Sequence, residues 1–217
     1  MLLEKLQNHL EYIYEVRSEH RINDFIIQDP QLAAQLDNGH NARDIPEKLL
    51  IQQDGEYIDV ALYLDSELVT RLERDDPTQT LHDNNIYDFW TALEGISHFL
   101  YFTWNATYER AVSLLELELQ AEVDKFILAA LLLEKQFDGY IPNGLHYHLF
   151  QNTSFDERLS DAEFTRYRDA NNFAAKFCSY LEKRFLKQGA QHGLMNELRR
   201  FYRQNHQHKI HTINTLS

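Results

Sequence analysis

One cysteine, four prolines and seven glycines are all that this chain of 217 residues holds of the residues that staple, break or loosen a backbone. The lone Cys178 rules out an intramolecular disulfide and any zinc site built on several cysteines. So little glycine and proline excludes collagen-like, low-complexity and long flexible segments. Long hydrophobic runs are missing too. The longest, residues 126–133, falls far short of the roughly 20 apolar residues that a membrane-spanning helix requires. The opening MLLEKLQNHLEY interrupts its leucines with charges, so it lacks the continuous apolar region of a secretory signal. A cytoplasmic protein is expected.

Positive charge is also scarce. Lys and Arg number 21 against 34 Asp and Glu, a formal net charge of −13. Nonspecific nucleic-acid binding depends on cations that neutralise phosphates, and docking on an anionic membrane depends on the same, so neither partner is expected. The one basic concentration is Arg199, Arg200, Arg203 and Lys209 near the C-terminus. No glycine-rich phosphate loop, Gly-x-Ser-x-Gly elbow or dinucleotide fingerprint is present, which leaves the common nucleotide-handling and hydrolase readings without support. What is there is ordinary for a globular protein: 43% hydrophobic and 25% charged residues. At this length folding buries about 70% of the chain's surface, enough to dispense with staples.

Leu3, Leu6, Leu10, Ile13 and Tyr14 are spaced for one face of a helix over residues 2–17. The run Phe25-Ile26-Ile27 suits a strand, and Asp29-Pro30 opens a short helix to Leu36. Residues 37–46, with Asn38-Gly39, read as an exposed loop. Residues 48–64 give the clearest β signal: two strands flank Asp54-Gly55, and Ile58, Val60, Leu62 and Leu64 alternate with more polar neighbours. Two strands alone are marginal in water, so the Phe25 run and a helix over 66–74 are expected to complete the unit. Residues 77–83 form the best boundary. Beyond it every pattern is helical: 85–104 with Asp83 or Asn84 as cap, 113–136 behind the capping box Ser113/Glu116, a turn over 145–150, 161–187 behind a second box Ser160/Glu163, and 194–204. The tail after that is polar and expected to be mobile. The fold class is therefore α+β and mainly α: a small N-terminal unit (1–76) with the hairpin, packed on a bundle of about four helices (84–217) to make one compact structure.

Helix 85–104 is apolar over most of its circumference, as buried helices are. Its polar exceptions, Tyr87, Thr91, Glu94, His98, Tyr101 and Asn105, fall on one stripe, which either meets solvent or lines an internal cleft. Glu94 and His98 stand one turn apart, where a carboxylate can orient an imidazole or the pair can hold a metal. On helix 113–136, Glu122 projects into the apolar stripe at about 100° per residue, Glu118 sits at its edge, and Glu116 is explained by the capping box. Asn171 is the polar member of the stripe Phe164, Tyr167, Ala174, Cys178, Leu181 and Phe185, placed to meet Glu94, His98 or Glu122. Cys178 reads as a small buried hydrophobe. His146 and His148, and His206, His208 and His211 in the tail, offer at most loose metal sites.

Two functions follow. The first is a non-catalytic interaction or regulatory protein that binds a protein or small molecule in a groove, with a homodimer through Phe99 and Trp104 if these are exposed. The second is a metal-assisted enzyme with His98, Glu94 and Glu122 as catalytic groups and Tyr87, Tyr101, Asn105 and Asn171 as binding groups. The sequence identifies neither a cofactor nor a metal.

Overall fold

In a computed structural model, which describes residues 1–37, 45–55, 57–152 and 156–216, the chain is a mainly helical α+β protein. Helix α1 (Leu2–Tyr14) buries Leu3, Leu6, Leu10, Ile13 and Tyr14 on one face and ends at Glu15, in the left-handed region with φ 49°. Strand β1 (Ile26–Ile27) follows, then α2 (Pro30–Leu36), whose Asp29 cap accepts from the amides of Gln31 and Leu32. Strands β2 (Glu47–Asp54) and β3 (Tyr57–Leu64) form the hairpin, with Gly55 at φ +61° in its turn. Most of the loop 37–46, with Asn38-Gly39, lies outside the described residues.

The sheet runs β1-β3-β2, with β1 parallel to β3 and β2 antiparallel to it. Leu62 pairs with both Ile26 and Leu49. Burial is graded along β3: Leu62 and Leu64 lie in the core, Val60 is half-buried and Ile58 at the hairpin tip is exposed. The opposite face is not wholly wet. Tyr63 packs with Leu50 and with Ala33 of α2 in a small second cluster.

Helix α3 (Ser66–Arg74) leads through a turn to α4 (Ile86–Thr107), which packs against α1, α3, both hairpin strands and α5 (Leu114–Gln136). Asn85 precedes α4, but its side chain caps no helix amide; it accepts from His82 N and donates to the carbonyls of Asp75 and Thr80. Gln136 at the far end of α5 holds the same turn through Leu81 N and the Pro77 carbonyl. Then come α6 (Leu145–Phe150), α7 (Asp161–Arg184) and α8 (Gln191–Tyr202). Both capping boxes form as expected, at Ser113/Glu116 and Ser160/Glu163.

Two expectations fail: neither Asp83 nor Asn84 caps α4, whose N-cap position is Asn85, and the tail is not loose. The polar tail is a helix, α9 (His206–Thr215), capped by Asn205 and buried along Lys209 and Ile213. Its inward face escaped notice because one of those two positions is a lysine. The condition set for a dimer through Phe99 and Trp104 is not met, since both sit in the core at 0% and 9% exposure. One hydrophobic cluster runs through the molecule from Leu2 to Ile213. Among the described residues, no helix is long and apolar enough to cross a membrane.

Candidate metal centre

Helices α4 and α5 lie side by side, with β2 against α4 and α7 against α5. Residues one turn apart share a helix face, so Glu94 and His98 of α4 look across at Glu118 and Glu122 of α5. Between them and β2, α7 and the start of α5 lies a cleft of about 450 Å³, into which Lys125, Arg166 and Tyr167 also reach.

Gly95 lets the strand approach. A Cβ there would stand 2.8 Å from Glu47 Cγ and 2.8 Å from Leu62 Cδ1, both inside the packed region. Glycine in a helix interior ordinarily weakens it by about 1 kcal/mol relative to alanine. Here the sign reverses: Gly95→Ala is expected to destabilise the protein by about 1–3 kcal/mol through overpacking, measured by urea unfolding. A stabilised variant would mean that β2 moves freely away from α4.

The approach of β2 brings Glu47 to the imidazole. His98 Nδ1 is 3.6 Å from Glu47 Oε1, and Nε2 is 3.4 Å from Glu118 Oε2. Both are ion-pair contacts that lack hydrogen-bond geometry. Burial by itself would lower the His98 pKa, but the Glu118 and Glu47 carboxylates outweigh it and hold it well above the ordinary histidine value. Glu118 is also 3.6 Å from Arg166 Nε. Glu94 turns instead to Lys125, whose Nζ donates to Glu94 Oε2 at 2.9 Å and to Glu122 Oε1 at 2.5 Å. Burial opposes the Lys125 charge, yet Glu122 and Glu94 together hold its pKa above the ordinary lysine value.

Three buried polar atoms of this cleft, Glu47 Oε1, His98 Nε2 and Arg166 Nε, have no hydrogen-bond partner among the described residues. A buried polar group without a partner is costly. Glu94, His98 and Glu118 each offer a ligand atom within 4.8 Å of the others, and among the described residues this is the only such group of three or more. Ligand atoms around a shared ion at about 2.0–2.2 Å sit roughly 3–4 Å apart. The His98–Glu118 pair already has that spacing, and Glu94 offers an oxygen within 4.8 Å of both while its Oε2 accepts from Lys125. Imidazole with carboxylates suits first-row divalent ions. Glu47 beside Nδ1 would fix the tautomer that presents Nε2 to the ion, as carboxylates behind metal-bound histidines do.

The predicted site residues therefore separate. His98, Glu94 and Glu122 line one cleft, although the imidazole contacts Glu47 and Glu118 and not its helical neighbour Glu94. Asn171 is elsewhere, donating to the Phe150 carbonyl at 3.1 Å. Tyr87 is at the surface, 2.5 Å from His148 Nε2. Tyr101 is buried, and Asn105 caps that residue's carbonyl at 2.8 Å. The polar stripe thus runs from solvent at Tyr87, past the cleft, into the interior. Sequence reasoning missed Glu47, Lys125 and Arg166, and it gave Glu118 only an edge position. A cation three residues after Glu122 was a usable signal for Lys125; the distant Glu47 and Arg166 left none.

Behind the cleft lies a second polar cluster closed to solvent. Asp124 accepts from Ser97 Oγ at 2.5 Å, from Gln120 Nε2 at 2.8 Å and from the Tyr14 hydroxyl. Lys209 of α9 donates to Gln120 Oε1 at 2.6 Å, with its ammonium 4.4 Å from the Tyr101 ring centre and 4.7 Å from that of Phe201. Cys178 is also buried, and burial pushes its thiol well above the ordinary range, which makes it a poor nucleophile. A scan against known protein families found no match, and searches of curated proteins and of solved structures likewise returned none.

Proposed function

We propose that this chain is a metal-assisted enzyme whose cleft holds one divalent ion on Glu94, His98 and Glu118. The observation that carries the reading is His98 itself. Its imidazole is buried, its Nε2 stands 3.4 Å from Glu118 without hydrogen-bond geometry to any acceptor among the described residues, and Glu94 and Glu118 each offer an oxygen within 4.8 Å of the imidazole and of each other. Three protein ligands on the wall of a cleft leave coordination positions for water and substrate, which is the pattern of catalytic metal sites. The bound ion would supply Lewis acidity and a water acidic enough to attack at neutral pH. Glu47 would orient His98, and Lys125 would hold Glu94 and Glu122 apart from uncompensated repulsion.

Purified, untagged protein incubated with Zn²⁺ or Mn²⁺ and then dialysed should retain about one equivalent of metal by elemental analysis. His98→Gln, with an unchanged circular dichroism spectrum, should retain at least tenfold less. Equal metal in the two proteins, or none in either, would end the reading.

A non-catalytic binding protein is the second reading, favoured by a groove of about 460 Å³ lined by Leu81, Ile86, Leu133, Phe137 and Leu145. Phe137, Tyr147 and Tyr87 leave large apolar surfaces exposed beside it. The same elemental analysis separates the two, because a protein that binds no metal leaves this groove as the better-supported site.

A further inference from the structure

Within the cleft, the charges are distributed unevenly once its ion pairs are assigned. Lys125 is engaged on both sides by Glu94 and Glu122. Lys48, at the cleft's strand wall, is paired with Asp37 at 2.5 Å. Arg166 is different. It projects from the second turn of α7, its guanidinium stacked over the Tyr167 ring at 5.0 Å, and its Nε–H is buried without an acceptor among the described residues. Its nearest carboxylate oxygen, on Glu118, is 3.6 Å away, too long for a hydrogen bond. That same carboxylate approaches His98 Nε2 through its other oxygen at 3.4 Å. Glu118 therefore stands between the imidazole and the guanidinium at ion-pair distance from both, while His98 Nε2 and Arg166 Nε each lack a hydrogen-bond acceptor among the described residues.

We propose that the cleft takes a small molecule bearing an oxyanion, one oxygen of which meets the ion held at Glu94, His98 and Glu118 while another accepts from Arg166. This rests on the metal reading above. Without a cation, the five glutamates that line the cleft, Glu47, Glu94, Glu118, Glu122 and Glu163, would repel an anion. A divalent ion balances Glu94 and Glu118, Lys125 balances Glu122, Arg158 pairs with Asp156, and Arg166 offsets Glu47. The anion then meets a cleft in which Glu163, held in its capping box, is the acidic group that remains among the described residues. The planar guanidinium fork matches carboxylate and phosphoryl groups alike. Leu114, Leu117 and Leu159 supply an apolar wall for the rest of the molecule, and the cleft volume of about 450 Å³ is in the range that small-molecule sites occupy.

The test uses full-length protein loaded with Co²⁺, whose visible spectrum reports its ligands, and two probes: inorganic phosphate and acetate. A Co²⁺ band that is present in wild type and lost in His98→Gln is expected first. Addition of phosphate or acetate should then shift that band, and the probe that acts at lower concentration assigns the tetrahedral or the planar oxyanion. Arg166→Met should keep the Co²⁺ band but need about 10–100-fold more of that probe, the size expected for loss of a charged hydrogen bond. Arg166→Lys, which keeps the charge and loses the fork, should fall between the two. A Co²⁺ band insensitive to both probes overturns the oxyanion inference and leaves the metal reading standing. Identical responses in wild type and Arg166→Met overturn the role of Arg166. No Co²⁺ band in wild type overturns the metal reading itself.

Discussion

Lys125→Met is expected to lower the unfolding free energy by about 3–5 kcal/mol, the scale seen when one partner of a buried ion pair is removed. Methionine keeps most of the side chain's length, so little packing is lost. What disappears is the cation between Glu94 and Glu122, at 2.9 Å and 2.5 Å from their oxygens, with the lysine side chain only 9% exposed. Two carboxylates would then face each other at the edge of the core. Equilibrium urea unfolding measures the loss, and the double variant Lys125→Met/Glu122→Gln should recover part of it, because one of the stranded charges is gone. A loss below about 1 kcal/mol would place the trio among solvent-screened surface pairs.

The second large effect concerns Lys209 and depends on pH. Burial pulls its pKa down from 10.5 to about 7, against the opposing pull of Glu116 and Asp124. Between those two values the unfolded chain carries a proton that the folded chain has lost, so raising the pH favours folding. Lys209→Met has no such group. Wild type should therefore gain stability relative to this variant from about pH 7 upward, by about 1.4 kcal/mol per pH unit within the window. The aromatic hydroxyls near the ammonium do not blur this window, since burial pushes Tyr101 and Tyr202 further up. Asp124 acts with the opposite sign and lower down. Burial raises its carboxyl from 3.8 to about 6 despite the bonds from Ser97, Tyr14 and Gln120, so between those values the folded chain holds the extra proton and rising pH disfavours folding. Urea midpoints of both proteins at pH 6, 8 and 9.5 check the prediction. A difference that stays flat from pH 7 to 9.5 would mean that the aromatic faces and Gln120 hold Lys209 charged throughout.

Local features of the fold were legible because they depend on short spacings. Ser113 with Glu116 and Ser160 with Glu163 each specify a helix start within four residues, and both formed. Asp54-Gly55 placed the hairpin turn, and Phe25-Ile26-Ile27 supplied the third strand through Ile26 and Ile27. The tail helix was illegible because its inward positions, Lys209 and Ile213, alternate with histidines, threonine and asparagine; only the acceptor at Gln120 gives Lys209 a reason to be inside. Half of the candidate site was legible in the same local way: Glu94 and His98 are one turn apart, and so are Glu118 and Glu122.

By itself, then, the sequence determined the fold class, the position of most helices and the hairpin, and the presence of carboxylates and an imidazole on two largely apolar helices. It did so through helical and strand periodicity and through caps, all of which act over a few residues. Only the tertiary structure decided which of those groups meet. Glu47 reaches His98 because Gly95 has no side chain to hold β2 away, and Arg166 faces Glu118 because α7 packs along α5. The separations in sequence are 51 residues for Glu47–His98 and 48 for Glu118–Arg166. No local propensity carries information over that distance; the shared core from Leu2 to Ile213 does, by fixing how the helices and the hairpin stack before any of these side chains finds its partner.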